Sequence, residues 1–241
     1  MEIISHRGNG FGYPENSFPA FSSALEKGIS IELDIRLSKD GVPFVIHNAD
    51  VDEILNGGGK VANFDSDGIK KFSYMSDEKL NLVRFDELLE KFDLVEGKSP
   101  NLFVHIQDIK EEGVVEKVLE LIDKSKYKER ILLFAVDKMS LPLIETVKER
   151  TKEIKVGLHL PENSEYFNEE FFRKADFIWA DEVNGKWLSK EMVDLTHKLR
   201  KKIYAISPEL IPDSVYSKEY SKRWKDIIES GFDGICTDFP L

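Results

Sequence analysis

The sequence predicts an α/β fold, a TIM (β/α)8 barrel, because short apolar runs alternate with amphipathic segments along its 241 residues. Eight of the runs are bounded by turn residues, as buried strands are, and seven amphipathic segments separate them. Eight strand–helix units in roughly 250 residues are what a closed barrel takes. The predicted order ends in a strand, so we expect the last outer helix to be missing. A doubly wound open sheet is the alternative, although no glycine-rich phosphate fingerprint follows any predicted strand.

The first two strands and the helix between them have clear boundaries. A strand over 2–5 leads into a loop, after which Ser17 is placed to cap a helix over 18–27. In the next strand, 30–37, aliphatic residues alternate with charged ones, so the two faces differ in polarity. An extended arm over 42–47 follows after a turn.

The segment 48–83 breaks this alternation. It contains Gly57-Gly58-Gly59, few apolar residues and weak periodicity. We therefore interpret it as a small loop-rich insertion after the second strand. Alternation resumes at residue 84, and we expect residues 1–241 to form a single domain. The later predicted elements are helix 84–93, strand 102–108, helix 112–124, strand 130–136, helix 140–151, strand 155–160, helix 165–175, strand 177–181, helix 189–200, strand 202–207, helix 216–230 and strand 234–237.

Composition excludes several classes of partner. The formal net charge of −11 argues against nucleic acid or an anionic membrane, because both require a basic surface. Cys236 is the single cysteine, so no internal disulfide framework is expected. The N-terminal residues resemble no signal peptide, and no apolar run approaches the ~20 residues of a membrane span. We therefore expect a cytoplasmic protein with no stable membrane insertion.

Two histidines lie at the C-terminal ends of predicted strands, which is where the active sites of such barrels are found. His6 ends the first apolar run and His47 ends the arm. Two imidazoles that exchange protons can act as general base and general acid on opposite sides of one phosphorus atom. We interpret His105, His159 and His197 as packed or solvated, because the first two fall within strands and the third on a polar helix.

A pair of carboxylates lies in the second predicted strand. Glu32 and Asp34 are two residues apart and therefore share a face. Inside a dry barrel two bare carboxylates would repel at a cost of several kcal/mol, which a bound divalent cation would remove. Oxygen ligands without thiols favour Mg²⁺ or Ca²⁺ and allow Mn²⁺, rather than zinc or copper. The alternative is that both carboxylates face solvent while the aliphatic residues face inward.

Six ordered motifs carry a resemblance that spans the chain. They are HRG at 6–8, PENS at 14–17, ELD at 32–34, DG at 40–41, IH at 46–47 and the closing GFDGICTDFP at 231–240. Together they resemble the glycerophosphodiester phosphodiesterase family. The resemblance implies a TIM barrel with an insertion after the second strand. It also implies divalent-metal-dependent hydrolysis of glycerophosphodiesters to glycerol 3-phosphate and an alcohol.

The resemblance also implies roles for individual residues. His6 and His47 match the catalytic acid–base pair, and Arg7 matches a phosphate contact. Glu32 and Asp34 match metal ligands. We expect water or a substrate hydroxyl to attack phosphorus, with the two histidines moving the protons.

The third and seventh strands depart from the family pattern. The family usually has ExK in the third strand, and Asp108 and Lys110 keep that spacing here. By this match Asp108 would be the third metal ligand and Lys110 a second cation for the phosphate. Asn48 stands where the family often has aspartate, and Ser207-Pro208-Glu209 replaces part of a common WTxN sequence. Further candidates for contacts to the organic groups of the substrate are Asp181, Trp187 and Glu209.

Three other functions stay open at this level. The first is a related, phospholipase D-like phosphodiesterase acting on lysophospholipids or an unusual phosphodiester. The second is a non-catalytic barrel that binds phosphodiesters. The third is a metal-dependent aldolase or isomerase, for which Lys110 would be the candidate Schiff-base lysine.

Overall fold

Eight parallel strands close into a barrel in the computed structural model, which describes residues 1–93, 100–110, 113–211, 214–215 and 218–240. The strands of these residues are β1 (Glu2–His6), β2 (Ser30–Leu37), β3 (Pro43–Val45), β4 (Ser73–Tyr74), β5 (Asp77–Asn81), β6 (Leu102–Ile106), β7 (Ile131–Phe134), β8 (Lys155–Leu160), β9 (Phe177–Ala180), β10 (Lys202–Ile206) and β11 (Gly234–Thr237). Around the barrel the order is β1, β2, β6, β7, β8, β9, β10 and β11, and β11 pairs with β1. The predicted TIM-barrel fold is confirmed.

Helices separate the barrel strands along the chain. The helices of the described residues are α1 (Phe18–Glu26), α2 (Ser66–Ile69), α3 (Phe85–Phe92), α4 (Val114–Ile122), α5 (Ser140–Arg150), α6 (Glu169–Lys174), α7 (Lys190–Lys198) and α8 (Tyr220–Ser230). All except α2 lie between consecutive barrel strands, and no described residue after β11 is helical. The predicted starts of two helices, at 112 and at 216–217, lie outside the described residues.

Side-chain caps set where some of these helices begin. The Ser17 hydroxyl accepts a hydrogen bond from the Ala20 amide at 3.4 Å, as predicted for an N-cap. Helix α6 begins four residues later than predicted, because the Asn168 side chain accepts hydrogen bonds from the amides of Glu170 and Phe171. The apolar faces of the helices then pack on the outside of the barrel in one large core.

Aromatic side chains fill the barrel interior. The ring of Phe103 lies 4.9 Å from that of Tyr204 and 5.1 Å from that of Trp179, measured between centroids. Gly157 leaves space for a neighbouring aromatic ring, because a Cβ at this position would lie 2.4 Å from the Phe177 side chain. The interior below the cavity is therefore packed, as it is in other barrels of this size.

The segment 48–83 is inserted after the second barrel strand, as predicted, but it has an apolar core that its sequence pattern did not predict. It contains α2 and the β4–β5 hairpin, and it packs against β3. The buried residues of this core are Phe44, Ile46, Val51, Leu55, Val61, Ile69, Tyr74 and Leu82. Short turns and a hairpin present these side chains, so they follow neither the strand nor the helix period.

Within the described ranges, none of the helices combines the length and apolar character needed to cross a bilayer.

Candidate active site

A cavity of about 210 Å³ opens at the C-terminal ends of the barrel strands. Polar and apolar side chains both line it. The polar lining residues are His6, Arg7, Glu32, Asp34, His47, His105, His159 and Asp181, and the remaining lining residues are Phe134, Val136, Trp179, Ile206, Leu210, Ile211 and Cys236. Five residues predicted from sequence, from His6 to His47, are therefore brought together in one site.

Glu32, Asp34 and His105 form a buried group that could hold a metal ion. One potential ligand atom from each residue lies within 4.8 Å of the other two. Asp34 and His105 are register partners on neighbouring strands, and Glu32 precedes Asp34 by two residues on the same face. Glu32 is 4% exposed and Asp34 is 1% exposed, which rules out the alternative that these carboxylates face solvent.

The electrostatics of this group fit a bound cation. Burial and the adjacent Asp34 carboxylate raise the pKa of Glu32 well above its usual value. Burial would also raise the pKa of Asp34, but the hydrogen bond from His105 and the charge of Arg7 outweigh it and lower that pKa. Burial lowers the pKa of His105, which favours the neutral imidazole that can bind a metal.

Unpartnered ligand atoms give an independent test of this fit. Glu32 Oε2, Asp34 Oδ2 and His105 Nε2 are buried and accept no hydrogen bond among the described residues, although Asp34 Oδ2 also lies 3.2 Å from Arg7 Nε in an ion pair. Buried polar atoms are rarely left without partners, and three in one cluster is the pattern expected where an ion is the missing partner. The residues present therefore fit a divalent cation.

Asp108 and Lys110 do not join this group, which corrects their predicted roles. Strand β6 ends at Ile106 rather than at 108, and side chains alternate in direction along a strand. His105 therefore faces the cavity. Gln107, two residues later on the same face, donates a hydrogen bond from Nε2 to Asp34 Oδ1 at 2.6 Å. The side chain of Asp108 is 58% exposed, and Lys110 is also exposed.

Asp108 instead pairs with an arginine that contacts the backbone of a predicted catalytic residue. Its carboxylate accepts a hydrogen bond from Arg36 Nη1. Arg36 also donates from Nε to the carbonyl oxygen of His47 at 2.7 Å. Together with Lys60, Arg36 and Asp108 line a second cavity, of about 330 Å³, outside the polar group of the first. Asp108 can thus influence the position of His47 through Arg36.

His6 is oriented by Asp238, which lies far away in sequence. Its Nδ1 lies 2.8 Å from Asp238 Oδ1, and Asn9 Nδ2 donates to the same oxygen at 2.7 Å. Partial burial would raise the pKa of Asp238, but the hydrogen bonds from His6 and Asn9 outweigh it and lower that pKa. An ionised Asp238 only accepts hydrogen bonds, so the proton of the neutral His6 ring lies on Nδ1 and leaves Nε2 free to exchange one.

His47 is oriented by an amide instead of a carboxylate. Its Nδ1 lies 2.6 Å from Asn48 Oδ1, while Asn48 Nδ2 donates to the Glu53 carboxylate. The carboxylate requires a donor, so the amide oxygen faces the imidazole. His47 therefore also carries its proton on Nδ1 and keeps Nε2 for proton exchange.

Arg7 brings a positive charge to the cavity. Its Nε lies 3.2 Å from Asp34 Oδ2, and its Nη1 donates to Glu15 Oε1 at 3.0 Å. Burial would lower the pKa of Arg7, but the charges of Asp34 and Glu15 outweigh it and raise that pKa. Arg7 has a φ of 51°, a left-handed conformation that a side chain seldom adopts outside tight turns and functional sites.

A profile of the glycerophosphoryl diester phosphodiesterase family matches residues 6–241. The chain belongs to this family. Its relatives include a glycerophosphodiester phosphodiesterase of Caldanaerobacter subterraneus, 29% identical over 99% of this chain and 94% of the relative. Another, from Bacillus altitudinis, is 28% identical over 99% of this chain and 95% of the relative. The family resemblance predicted from the motifs is confirmed.

Solved structures share the fold at low sequence identity. A glycerophosphodiester phosphodiesterase from Galdieria sulphuraria, described as putative, has a TM-score of 0.81 at 20% identity and covers 99% of this chain and 94% of its own. An Oleispira antarctica phosphodiesterase, solved in complex with the product sn-glycerol-3-phosphate, has a TM-score of 0.79 at 18% identity. It covers 100% of this chain and 94% of its own. These similarities support the barrel fold.

Sequence reasoning missed some lining residues of this phosphodiesterase-family site. His105 and His159 were interpreted as packed residues, yet both line the cavity. His159 Nδ1 accepts a hydrogen bond from the Asp137 amide at 2.8 Å, and Nε2 lies 3.1 Å from Asp181 Oδ2. The sequence could have pointed to His105 through its position in the third strand. It is three residues from Asp108, so the two side chains would face opposite sides of the strand, and only one of them could face the barrel interior.

Of the three further candidates for substrate contacts, the cavity includes only Asp181 among its described lining residues. Glu209 accepts hydrogen bonds from the hydroxyls of Ser207 and Thr237, so its carboxylate binds neighbouring protein groups instead of facing the cavity. Trp187 packs edge-on against Phe167 with ring centroids 5.1 Å apart.

Proposed function

We propose that this chain hydrolyses glycerophosphodiesters to glycerol 3-phosphate and an alcohol, with a divalent cation and with His6 and His47 as proton carriers. The main support is one observation: a buried group fit for a metal and two separately oriented imidazoles line the same cavity. The names of the two bacterial relatives support the substrate class.

Glu32, Asp34 and His105 would hold the cation. When bound there, it would withdraw charge from the phosphoryl oxygens and acidify an oxygen nucleophile. The side chains themselves prepare this position, because two carboxylates and a neutral imidazole are held in place by β2 and β6. The guanidinium of Arg7, beside Asp34, is positioned to bind a phosphoryl oxygen and to balance the charge that builds during attack.

The two histidines complete the reaction by moving two protons. As the new P–O bond forms, one imidazole Nε2 removes the proton of the attacking hydroxyl or water. As the old P–O bond breaks, the other imidazolium protonates the departing alkoxide. Asp238 and Asn48 hold the two rings through Nδ1, so that each ring presents Nε2 for this exchange.

The experiment couples release of glycerol 3-phosphate to a dehydrogenase readout, with glycerophosphocholine as substrate. We expect His6→Ala and His47→Ala each to lower kcat by about 10²- to 10⁴-fold, the usual contribution of a proton carrier. Glu32→Gln should lower activity by weakening cation binding, and EDTA should abolish it in the parent. His197→Ala is the matched control, because His197 contacts Asp233 on the outside of the barrel. Activity that survives both cavity histidine substitutions would overturn the assignment, and no cleavage by the parent would favour a binding protein.

Lysophospholipid cleavage is a second candidate, and the apolar lining residues of the cavity favour it. Val136 is 42% exposed, and Leu210 and Ile211 also line the cavity. An alcohol or acyl chain that projects outward would contact these side chains and bury apolar surface. Comparing turnover of lysophosphatidylcholine and glycerophosphocholine separates the two substrates. The aldolase alternative has no comparable support, because its candidate Lys110 is exposed and does not line the cavity.

A further inference from the structure

The candidate metal group contains a nitrogen donor, which changes the kind of ion that it should select. The ligand set expected from sequence had three carboxylates, whereas the structure assembles two carboxylates and one imidazole, from Glu32, Asp34 and His105. Mg²⁺ and Ca²⁺ prefer oxygen donors, and Ca²⁺ affinity rises with the number of charged ligands. Imidazole suits the later transition ions such as Ni²⁺ and Zn²⁺, and affinity for a mixed site rises from Mn²⁺, which carboxylates also suit, through Co²⁺ and Ni²⁺.

His105 is held as rigidly as a metal-binding histidine usually is. Its ring stacks on Phe134 at a centroid distance of 4.8 Å and an interplanar angle of 15°. Its Nδ1 lies 2.9 Å from Asp34 Oδ1 and 3.0 Å from Gln107 Nε2. Nδ1 is therefore engaged by polar neighbours, while Nε2 is buried without a hydrogen-bond partner among the described residues.

The surrounding charges also differ from those of a typical site for a hard cation such as Mg²⁺ or Ca²⁺. Glu32 and Asp34 together supply two negative charges, which a single divalent ion neutralises. Arg7, 3.2 Å from Asp34, already reduces the negative potential at the site. A hard ion bound mainly by electrostatic attraction would lose affinity under these conditions, whereas the bond between imidazole and a transition ion is less affected.

We propose that the Glu32–Asp34–His105 group selects Mn²⁺ and later first-row dications such as Co²⁺ and Zn²⁺ over Mg²⁺ and Ca²⁺. This inference rests on the metal site of the proposed function and specifies the ion that it takes. His105 is the residue that determines the selectivity.

The test measures ion binding directly on the full chain after metal removal by chelation. Loss of the free Mn²⁺ signal in electron paramagnetic resonance gives the Mn²⁺ affinity, and competition gives those of Mg²⁺, Ca²⁺ and Zn²⁺. We expect Zn²⁺ to bind more tightly than Mn²⁺, and Mn²⁺ more tightly than Mg²⁺ or Ca²⁺. Electron spin echo modulation of the bound Mn²⁺ should show a coordinated nitrogen.

His105→Glu is the deciding variant, because it restores an all-carboxylate group. It should abolish the nitrogen modulation and lower the preference for Zn²⁺ and Mn²⁺ over Mg²⁺. His197→Gln is the matched control: it removes a histidine that contacts Asp233 on the outside of the barrel and should leave both the nitrogen signal and the Mn²⁺ affinity unchanged.

Each result bears on one claim at a time. Bound Mn²⁺ without nitrogen modulation in the parent, or equal affinities for Mn²⁺ and Mg²⁺, would overturn the inference, and this measurement does not require any variant to fold. Half-maximal hydrolysis at equal concentrations of Mn²⁺ and Mg²⁺ would also overturn it while leaving the proposed function intact. A nitrogen-coordinated Mn²⁺ in a chain that cleaves no glycerophosphodiester would instead support the inference and contradict the proposed function.

Discussion

At the residue scale, the two cavity histidines differ in the group that orients them. His6 faces the carboxylate Asp238, whereas His47 faces the neutral amide of Asn48. The carboxylate adds charge stabilisation when its imidazole is protonated, and the amide adds only a hydrogen bond. The environments of the two rings therefore differ in charge, although both rings present Nε2 to the cavity.

Asp238→Asn tests the carboxylate behind His6. The replacement amide no longer holds the charged ring, so we expect kcat to fall by up to about 10²-fold through misplacement of His6, with KM little changed. Asp226→Asn is a suitable control, because Asp226 is a surface partner of Arg223. Steady-state kinetics of both variants provide the measurement. A fall in KM and kcat together, or no fall at all, would contradict a positioning role for Asp238.

Asp108→Asn separates the predicted ligand role of Asp108 from the role that its contacts indicate. Because Asp108 binds Arg36, and Arg36 holds the His47 carbonyl, we expect kcat to fall by roughly three- to tenfold. The metal concentration that gives half-maximal activity should not change. Lys60→Met, a charge change in the same outer cavity, should alter neither quantity. A tenfold higher metal requirement in Asp108→Asn would restore Asp108 as a ligand.

At the element scale, sequence patterns located most of the strands and their order, but the end of β6 decided the site. Glu32 and Asp34 could be predicted because their strand alternates clearly between aliphatic and charged residues. The sequence HIQDIK contains two polar pairs with a spacing of two, His105/Gln107 and Asp108/Lys110, and they face opposite sides of the strand. Because the strand ends at Ile106, His105 and Gln107 are the pair that reaches the site. Local pattern alone does not contain that information.

Gly157→Ala tests how tightly β8 packs inside the barrel. Its new Cβ would lie 2.4 Å from the ring of Phe177, so either the ring or the strand must shift. We expect the free energy of unfolding to fall by about 1–3 kcal/mol, the usual cost of overpacking. Urea denaturation gives the value. Gly58→Ala is the control, because no heavy atom lies within 4 Å of its Cβ position. Equal stability of the two variants would show that the interior is looser than described.

At the scale of the whole molecule, barrel closure assembles a site from distant parts of the chain. Strands β1 and β11 pair directly, which brings Asp238 to His6 across 232 positions of sequence. The closing motif could be matched to a family from sequence, but its contact with His6 depends on this closure. We also propose that the insertion and the barrel act as one domain, because Tyr74 donates a hydrogen bond to the Asn16 carbonyl at 2.9 Å.

A cation in the buried group should stabilise the whole fold. Ligand that binds only the native state at 100 times its Kd adds about 2.7 kcal/mol to the free energy of unfolding. Saturating Mn²⁺ should therefore raise the Tm of the chelated protein, and EDTA should reverse the change. Glu32→Gln should show a much smaller shift, which differential scanning calorimetry would detect. An equal shift in the parent and this variant would assign the stabilisation to another site.

The central claim is phosphoryl transfer to water in this cavity, and isotope labelling tests it most directly. Glycerophosphocholine is cleaved in H₂¹⁸O with Mn²⁺, and both products are analysed by mass spectrometry. Cleavage of the P–O bond to choline predicts one ¹⁸O in glycerol 3-phosphate and none in choline, with no product in EDTA and far less product from His6→Ala. Label in choline would mean that a C–O bond breaks instead, and that result would contradict the proposed chemistry of the site.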